Sequence, residues 1–156
     1  MPFVALIIIV VLLLAGCGPT KRCLVSPLSG TVVAHGKPVA GAKVTRKYYS
    51  DWYKDQVETV IRTDTNGFFE FQGAWKTALV NILHQPVIQE EVVVEYDGTN
   101  YPAWNVTKMD YELLGELSDT QLRTLNGDMD RFGKQGGKLY LRIDVDLKKA
   151  RAGEKQ

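Results

Sequence analysis

The sequence contains few residues of the types that metal, redox and nucleic-acid sites require. Its 156 residues include 2 cysteines and 2 histidines, and 19 basic and 18 acidic side chains leave a formal net charge of +1. No block of Lys and Arg supplies the clustered positive charge that phosphate backbones need. We therefore expect no nucleic-acid partner, and the length and composition are typical of one ordinary globular domain.

Long hydrophobic runs are also missing, apart from one stretch at the N-terminus. The apolar run from Phe3 to Leu14 is about a dozen residues long, whereas a helix that spans a bilayer needs about 20. The shorter length is typical of the hydrophobic region of a signal peptide. We predict a signal peptide over residues 1–16, with an uncleaved anchor helix as the less favoured alternative.

The end of this run resembles the lipobox of bacterial lipoproteins, in the residues Leu14, Ala15, Gly16 and Cys17. The resemblance implies cleavage before Cys17, a diacylglyceryl group on its sulfur and an N-acyl lipid on its amino group. It also implies a place in the bacterial cell envelope. Gly18 in the next position favours the inner leaflet of the outer membrane, with the domain facing the periplasm. No other cofactor is expected.

Residues 17–27 are predicted to be the lipidated cysteine and a short tether that holds the domain near the membrane surface. Cys23 lies in this segment and has no partner cysteine, because a lipidated Cys17 offers no thiol. Two interpretations stay open for it. Cys23 is either an intermolecular disulfide or redox residue, or an unpaired residue of the tether.

The stretch Thr63–Phe71, T-D-T-N-G-F-F-E-F, carries a turn signal between two alternating segments. The Asp64 carboxylate can accept hydrogen bonds from the amides of Asn66 and Gly67, and Asn-Gly tolerates positive φ. The pattern predicts a β-hairpin. A calcium loop would need a further acidic ligand and a bidentate Glu, which neither this turn nor Asp128-Met129-Asp130 provides, so no metal site is expected.

The segment S-G-T-V-V-A-H-G-K-P-V-A-G-A-K-V, which begins at Ser29, together with Thr63–Phe71 resembles the carboxypeptidase regulatory-like, or transthyretin-like, family. The resemblance implies a mainly β fold: a single antiparallel Ig-like sandwich of seven to eight strands with one or two short helices. We place it at residues 28–148, followed by a charged flexible tail at 149–156. In most of their settings such domains are structural or binding modules.

The second half predicts three further strands and two helices. Its segments are a short helix within Trp75–Leu83, strands at Val87–Tyr96 and Tyr101–Thr107 joined by the hairpin-type turn Asp97-Gly98-Thr99-Asn100, a helix at Asp119–Asn126, and a final strand in which Leu139, Leu141, Ile143, Val145 and Leu147 face inward and Tyr140, Arg142, Asp144 and Asp146 outward. This half is similar to a family of short uncharacterised bacterial lipoproteins built on the same sandwich.

Catalysis is not expected. His35 lies in a predicted turn and His84 at a predicted helix end, where a surface or capping role is favoured over that of a general base. The transthyretin-like hydrolases that this chain resembles in fold end in Tyr-Arg-Gly-Ser, which is missing here. No catalytic residue and no metal ligand are therefore assigned.

Clustered aromatic residues give the best candidate for a partner surface: Tyr48, Tyr49, Trp52 and Tyr53. The alternative is that these rings pack on the edge of the sandwich. We expect a lipid-anchored, non-catalytic module that binds the membrane through its anchor and, beyond it, a protein or an envelope component. An immunity lipoprotein that neutralises a secreted antibacterial toxin is the second hypothesis, and a hydrolase is the third.

Overall fold

The computed structural model describes residues 19–78, 84–117, 132–135 and 138–145. These residues form eleven strands and one short 3-10 helix at Gly115–Leu117. The strands are β1 Thr20–Val25, β2 Leu28–Ala34, β3 Lys37–Pro38, β4 Lys43–Ser50, β5 Gln56–Arg62, β6 Phe68–Phe71, β7 Ala74–Ala78, β8 Ile88–Tyr96, β9 Thr99–Lys108, β10 Phe132–Gln135 and β11 Lys138–Asp144. In this part of the chain, no helix is long and apolar enough to cross a membrane.

Two main sheets enclose the core, as the mainly β sandwich prediction requires. One is four-stranded, in the order β5-β4-β8-β9, and the other is five-stranded, in the order β10-β11-β2-β3 with β6 also paired to β2. Strands β1 and β7 form a separate two-stranded ribbon. Inward-facing side chains of both main sheets make one apolar cluster, whose largest members include Leu28, Phe69, Phe71, Trp104, Leu139 and Leu141.

The predicted alternation of the last strand is confirmed wherever it is described. Leu139, Leu141, Ile143 and Val145 are buried, while Arg142 is exposed. Residues 146 and 147 lie outside the described part. The pairing of β11 departs from the antiparallel expectation, because β11 runs parallel to β2, with Leu139 opposite Leu28. Two parallel strands must be joined by a long crossover connection. The chain between β2 and β11 makes this connection, and it includes the strands of the other main sheet.

The predicted hairpin at Thr63–Phe71 is wrong, although its turn forms. Strand β5 pairs with β4 in one sheet, and β6 pairs with β2 in the other. The turn therefore carries the chain between the two sheets. Gly67 has φ +71°, and a Cβ there would lie 2.5 Å from the Val32 carbonyl oxygen. Turn geometry is local, whereas the choice of a strand's neighbour is made by the rest of the chain.

Two further predictions are corrected by the β1–β7 ribbon. The expected tether forms β1, in which Cys23, Leu24 and Val25 are buried. The helix expected within Trp75–Leu83 is wrong for its described residues, because β7 extends along β1 with Ala78 opposite Thr20. Pairing with β1 satisfies the β7 backbone, and this outweighs the helical spacing of its side chains. Residues 79–83 lie outside the described part.

Other predicted segments also lie outside the described residues. They are the signal peptide at 1–16 with Leu14, Ala15 and Gly16 of the lipobox, Cys17, the helix at Asp119–Asn126 and the tail at 149–156.

The β8–β9 hairpin is confirmed. Asp97 and Gly98 connect its strands with φ values of 51° and 70°, as a two-residue type I′ turn requires. The register shifts between Val92 and Val93, which pair with Trp104 and Pro102, so β9 contains a bulge at Ala103, next to Pro102. The turn lies directly before β9 and the bulge lies in the β8–β9 ladder. Strand β9 is one edge of the four-stranded sheet.

Candidate functional site

The four aromatic residues proposed as one partner surface are divided between different parts of the fold. Tyr48 and Tyr49 are consecutive in β4, so they point to opposite faces of the sheet. Tyr48 packs against a small inner cluster of Leu24, Val25 and Ile88. Tyr49 is exposed on the outer face of the sheet, where it lines a depression of about 340 Å³.

Trp52 and Tyr53 follow β4 and also diverge. The Trp52 side chain is 46% exposed, and its ring stacks on His84 with centroids 4.2 Å apart. Tyr53 packs against the same inner cluster as Tyr48 and meets the edge of Tyr111 at 6.3 Å. Of the four residues, Trp52 is therefore the most exposed, and both Tyr48 and Tyr53 serve mainly as packing.

The loop that presents Trp52 is held by hydrogen bonds at both ends. The Asp51 side chain accepts a hydrogen bond from the Val87 N–H at 3.0 Å, and the Asp51 N–H donates to the Val87 carbonyl at 3.1 Å. The Ser50 N–H donates to the Asp55 carbonyl at 3.0 Å. These bonds fix the position of the loop that carries Trp52.

A second depression, of about 560 Å³, lies beside the Trp52–His84 stack. Its lining combines basic, acidic and apolar side chains and comprises Thr20, Lys21, Arg22, His84, Gln85, Pro86, Met109, Asp110, Tyr111 and Glu112. The Met109 side chain is 54% exposed, and the Arg22 guanidinium lies 4.6 Å from the centre of the Tyr111 ring. We call Trp52, His84 and Met109 the Trp52 surface. It adjoins Thr20, where β1 begins.

Neither histidine has the setting of a general base. His35 is an exposed turn residue with φ 51° between β2 and β3. His84 makes ring contacts with Trp52 and Tyr111, and neither of its ring nitrogens forms a hydrogen bond within the described residues. A general base is normally oriented by a hydrogen-bonded partner, so the His84 ring acts as a stacking surface.

The Asp64 carboxylate caps the predicted turn, but one of the two N–H groups that donate to it differs from the prediction. Its Oδ1 accepts hydrogen bonds from the N–H groups of Asn66 and Phe68, each at 2.8 Å. The Gly67 N–H, expected on the same carboxylate, donates to the Asp64 main-chain carbonyl at 3.0 Å. Within the described ranges, no group of three or more His, Cys, Asp or Glu side chains could hold a metal ion. Asp128 and Asp130 lie outside those ranges.

Sequence reasoning missed a buried polar centre at one end of the sandwich. Strands β4, β8 and β9 and the 3-10 helix each supply one charged side chain, and the loop between β1 and β2 supplies a serine. The members are Arg46, Glu90, Lys108, Glu116 and Ser26, all nearly inaccessible to solvent. Two positive and two negative side chains give this centre no net charge when all are ionised. We refer to it as the polar centre.

Ser26 connects the members of the polar centre. Its N–H donates to Glu116 Oε1 at 2.7 Å and its hydroxyl to Glu116 Oε2 at 2.6 Å. Its hydroxyl oxygen accepts from the Leu114 N–H at 2.8 Å, and its carbonyl accepts from Arg46 Nη2 at 2.7 Å. Lys108 Nζ lies 3.5 Å from Glu116 Oε1 and donates to the Cys23 carbonyl at 3.3 Å.

The second ion pair of the centre joins neighbouring strands. Arg46 Nε donates to Glu90 Oε1 at 2.7 Å, and Arg46 Nη1 donates to the Gln72 carbonyl at 3.1 Å. Burial raises the pKa of the Glu90 carboxyl, and the negative charge of Glu116 adds to this rise, while the charge and hydrogen bond of Arg46 oppose it. The ionised form of the Glu90 carboxyl is therefore favoured mainly by its ion pair with Arg46.

The chemistry open to the polar centre is limited by access. Ser26 Oγ is 3.8 Å from Cys23 Sγ, yet both residues are 0% exposed. Burial raises the pKa of the Cys23 thiol, which keeps it in the less reactive protonated form. A catalytic nucleophile must be accessible to its substrate. Ser26 is buried, and its polar groups form hydrogen bonds that hold β1, β2 and the 3-10 helix together. One signal was available in the sequence: Arg46 and Glu90 occupy inward positions of otherwise apolar alternations.

Comparisons with known proteins identify a family and weak structural likenesses. A family model described as "Domain of unknown function (DUF6795)" matches residues 28–131, and no curated protein matches the chain. A solved dioxygenase domain from a dioxygenase carbohydrate-binding protein fusion of Streptomyces sp. SirexAA-E is 14% identical, with a TM-score of 0.36 over 81% of this chain and 77% of that one. A 3-chlorocatechol 1,2-dioxygenase from Rhodococcus opacus 1CP is 13% identical, with a TM-score of 0.32 over 80% of this chain and 58% of that one.

Proposed function

We propose that this chain, which belongs to the DUF6795 family, is a lipid-anchored, periplasm-facing module that binds a protein or an envelope component and performs no catalysis. The observation that carries the proposal is the Trp52 surface. It holds an exposed Trp and an exposed Met beside a depression, and exposed aromatic and Met side chains are the residues that interface centres favour. The transthyretin-like resemblance of the sandwich motifs fits such a binding role.

The polar centre supports the non-catalytic part of the proposal. The side chains that could act as a nucleophile, acid or base there, namely Ser26, Cys23, Lys108 and Glu116, are at most 1% exposed. Their polar atoms are bonded to one another or to the backbone. They therefore contribute to the stability of the fold around the Trp52 surface.

The lipid anchor and the Trp52 surface fit the same orientation. Cys17 precedes Thr20 by three residues, and three extended residues span at most about 10 Å. A lipid on Cys17 would therefore hold the start of β1, and with it the Trp52 surface, close to the membrane. A partner that binds this surface would be located at or near the membrane.

The anchor is tested by metabolic labelling of the full chain with a palmitate analogue in a bacterial host. We expect labelling of the wild type and its loss in Cys17→Ala, because the thioether requires this sulfur. Cys23→Ala is the matched control and should keep the label. Labelling that persists in Cys17→Ala would refute the anchor.

The partner surface is tested by placing a photo-crosslinking amino acid at Trp52 or at Phe68 of the full chain in envelope preparations. Phe68 is 36% exposed and belongs to strand β6 of the other main sheet. We expect a discrete adduct from position 52, and we expect Met109→Ala to weaken it. The same adduct from both positions, or no dependence on Met109, would argue against the Trp52 surface. A captured secreted toxin whose gene lies beside this one would favour the immunity hypothesis.

A further inference from the structure

Strand β5 is an edge strand without a proline or a bulge, and Glu58 and Arg62 are its only charged residues. It pairs with β4 over all seven residues from Gln56 to Arg62 without a register shift, and it is the terminal strand of its sheet. The opposite edge, β9, contains Pro102 and a bulge at Ala103, both of which discourage a further strand. The two edges of one sheet therefore differ in their capacity to accept another chain.

The open side of β5 presents hydrogen-bonding groups as well as exposed side chains. In an antiparallel ladder, alternate residues direct their N–H and C=O groups to one neighbour and the others direct theirs away. Within the described residues β5 has β4 as its sole ladder partner, so half of its backbone groups face outward. Val60 is 47% exposed. An extended strand is the ligand whose backbone matches such an edge.

The β5 sequence is complementary to itself when two copies run antiparallel about Thr59. Val57 then lies opposite Ile61 of the second copy on the inner face, and Thr59 lies opposite its own counterpart. Apolar pairs and Thr–Thr pairs are both favourable across strands. On the outer face, Glu58 has both Arg62 and Glu58 of the second copy as diagonal neighbours. Lys47 of the same chain, whose Nζ lies 3.3 Å from Glu58 Oε2, offsets the repulsion between the two Glu side chains.

We propose that β5 is a homotypic docking edge, through which a second copy of this chain adds its own β5 antiparallel about Thr59. The sheet β9-β8-β4-β5 then continues into β5-β4-β8-β9 of the second copy. The Trp52 surface is presented by the loop between β4 and β5 rather than by this edge, so each copy keeps it for another partner.

The size of the edge indicates when this pairing matters. A single pair of seven-residue strands is a small contact compared with the roughly 1,200–2,000 Å² of standard stable interfaces. Pairing should therefore be weak in dilute solution and favoured when copies are concentrated on one surface. The concentration of copies on one surface rests on the proposed lipid anchor, whereas the geometry of the edge does not.

A disulfide trap tests the register in the full chain expressed in bacteria. Directly opposed residues of an antiparallel pair place their Cα atoms about 4.5–5.5 Å apart, within the roughly 4.4–6.8 Å that disulfide-bonded residues show. We expect Thr59→Cys to give a covalent dimer after mild oxidation of the cells. Gln56→Cys is the matched control, because its counterpart would lie about 20 Å away along the strand, and it should stay monomeric.

Charge reversal supplies a second readout. In the Thr59→Cys background, Glu58→Arg should strongly reduce the dimer band, since it places two Arg side chains diagonally, and adding Arg62→Glu should restore it. No dimer from Thr59→Cys, equal dimer from Gln56→Cys, or an adduct with a different protein alone would overturn the proposal. Palmitate labelling reports on the anchor separately, so either idea can fail without the other.

Discussion

Ser26 binds both carboxylate oxygens of Glu116, through its N–H at 2.7 Å and its hydroxyl at 2.6 Å, across 90 residues of sequence. The contact joins the loop before β2 to the 3-10 helix after β9, and Lys108 lies 3.5 Å from the same carboxylate. Because all three residues are buried, this end of the sandwich depends on a complete set of polar bonds. Loss of one member leaves the others in an apolar setting without water.

Removal of Glu116 should therefore destabilise the fold strongly. Glu116→Ala leaves Lys108 buried without its carboxylate, and breaking a buried ion pair from one side typically costs about 3–5 kcal/mol. Urea denaturation measures the free energy of unfolding. The double variant Glu116→Leu with Lys108→Met should lose less than Glu116→Ala, because no buried charge is left unpaired. Lys43→Ala, which breaks the exposed Lys43–Glu95 pair, should have little effect. A small loss in Glu116→Ala would contradict the role of the polar centre.

Glu90 should make stability fall as the pH rises above the ordinary range of a Glu side chain. Its pKa is raised in the folded chain, chiefly by burial, so between the unfolded and the folded pKa the folded state binds more protons than the unfolded state. The free energy of unfolding then decreases with rising pH across that window. Glu90→Gln, measured by urea denaturation at a series of pH values, should remove this component. Identical slopes for the two proteins would show that Glu90 is not perturbed.

The Cys23 thiol should be inert in the folded chain. It is 0% exposed, and burial raises its pKa, so both access and thiolate formation are suppressed. A maleimide reagent should label the native chain at Cys23 only as fast as the chain unfolds, and labelling should become rapid in urea. Lys37→Cys, at an exposed position of β3, is the control that should react at once. Rapid stoichiometric labelling of native Cys23 would revive the intermolecular disulfide hypothesis.

Gly30 should not tolerate a side chain. A Cβ at this position of β2 would clash with the Leu141 carbonyl oxygen of the neighbouring strand and come within 2.6 Å of the Phe69 ring. Overpacking of this kind typically costs about 1–3 kcal/mol, so Gly30→Ala should lower the midpoint of thermal or urea unfolding. Lys37→Ala, at an exposed position of β3, should change stability by no more than about 0.5 kcal/mol. Equal stability of the two variants would refute the close packing of β2 between β11 and β6.

The features that sequence predicted well are those that depend on neighbouring residues. The alternation from Leu139 to Val145 sets which side chains face the core, and the Asp97-Gly98 pair sets a type I′ turn by its positive φ values. The turn after Asp64 also forms as its side chain requires. Such signals act over a few bonds, so the rest of the chain has little influence on them.

Strand partners were decided by the tertiary structure. The segments on either side of the Asp64 turn read equally well as a hairpin or as a crossing between sheets, because alternation does not identify a neighbour. Residues 20–25 were predicted to belong to a tether, but in the structure they form β1, which pairs with β7. The side chains after Trp75 have helical spacing, but this segment forms a strand that pairs with β1. That pairing satisfies backbone hydrogen-bonding groups, and side-chain spacing alone does not predict it.

The sequence by itself thus determined a mainly β fold, its turns and the inward faces of its strands, because periodicity and φ preferences are local. The tertiary structure decided the polar centre and the separation of Tyr48 and Tyr53 from Trp52. From the sequence alone, Arg46 is a polar residue on a strand with one exposed face. Its burial is possible only because Glu90 of β8 and the Ser26 carbonyl of a distant loop accept hydrogen bonds from its guanidinium. A charge can be buried only where its partners meet it, and those partners come together through folding.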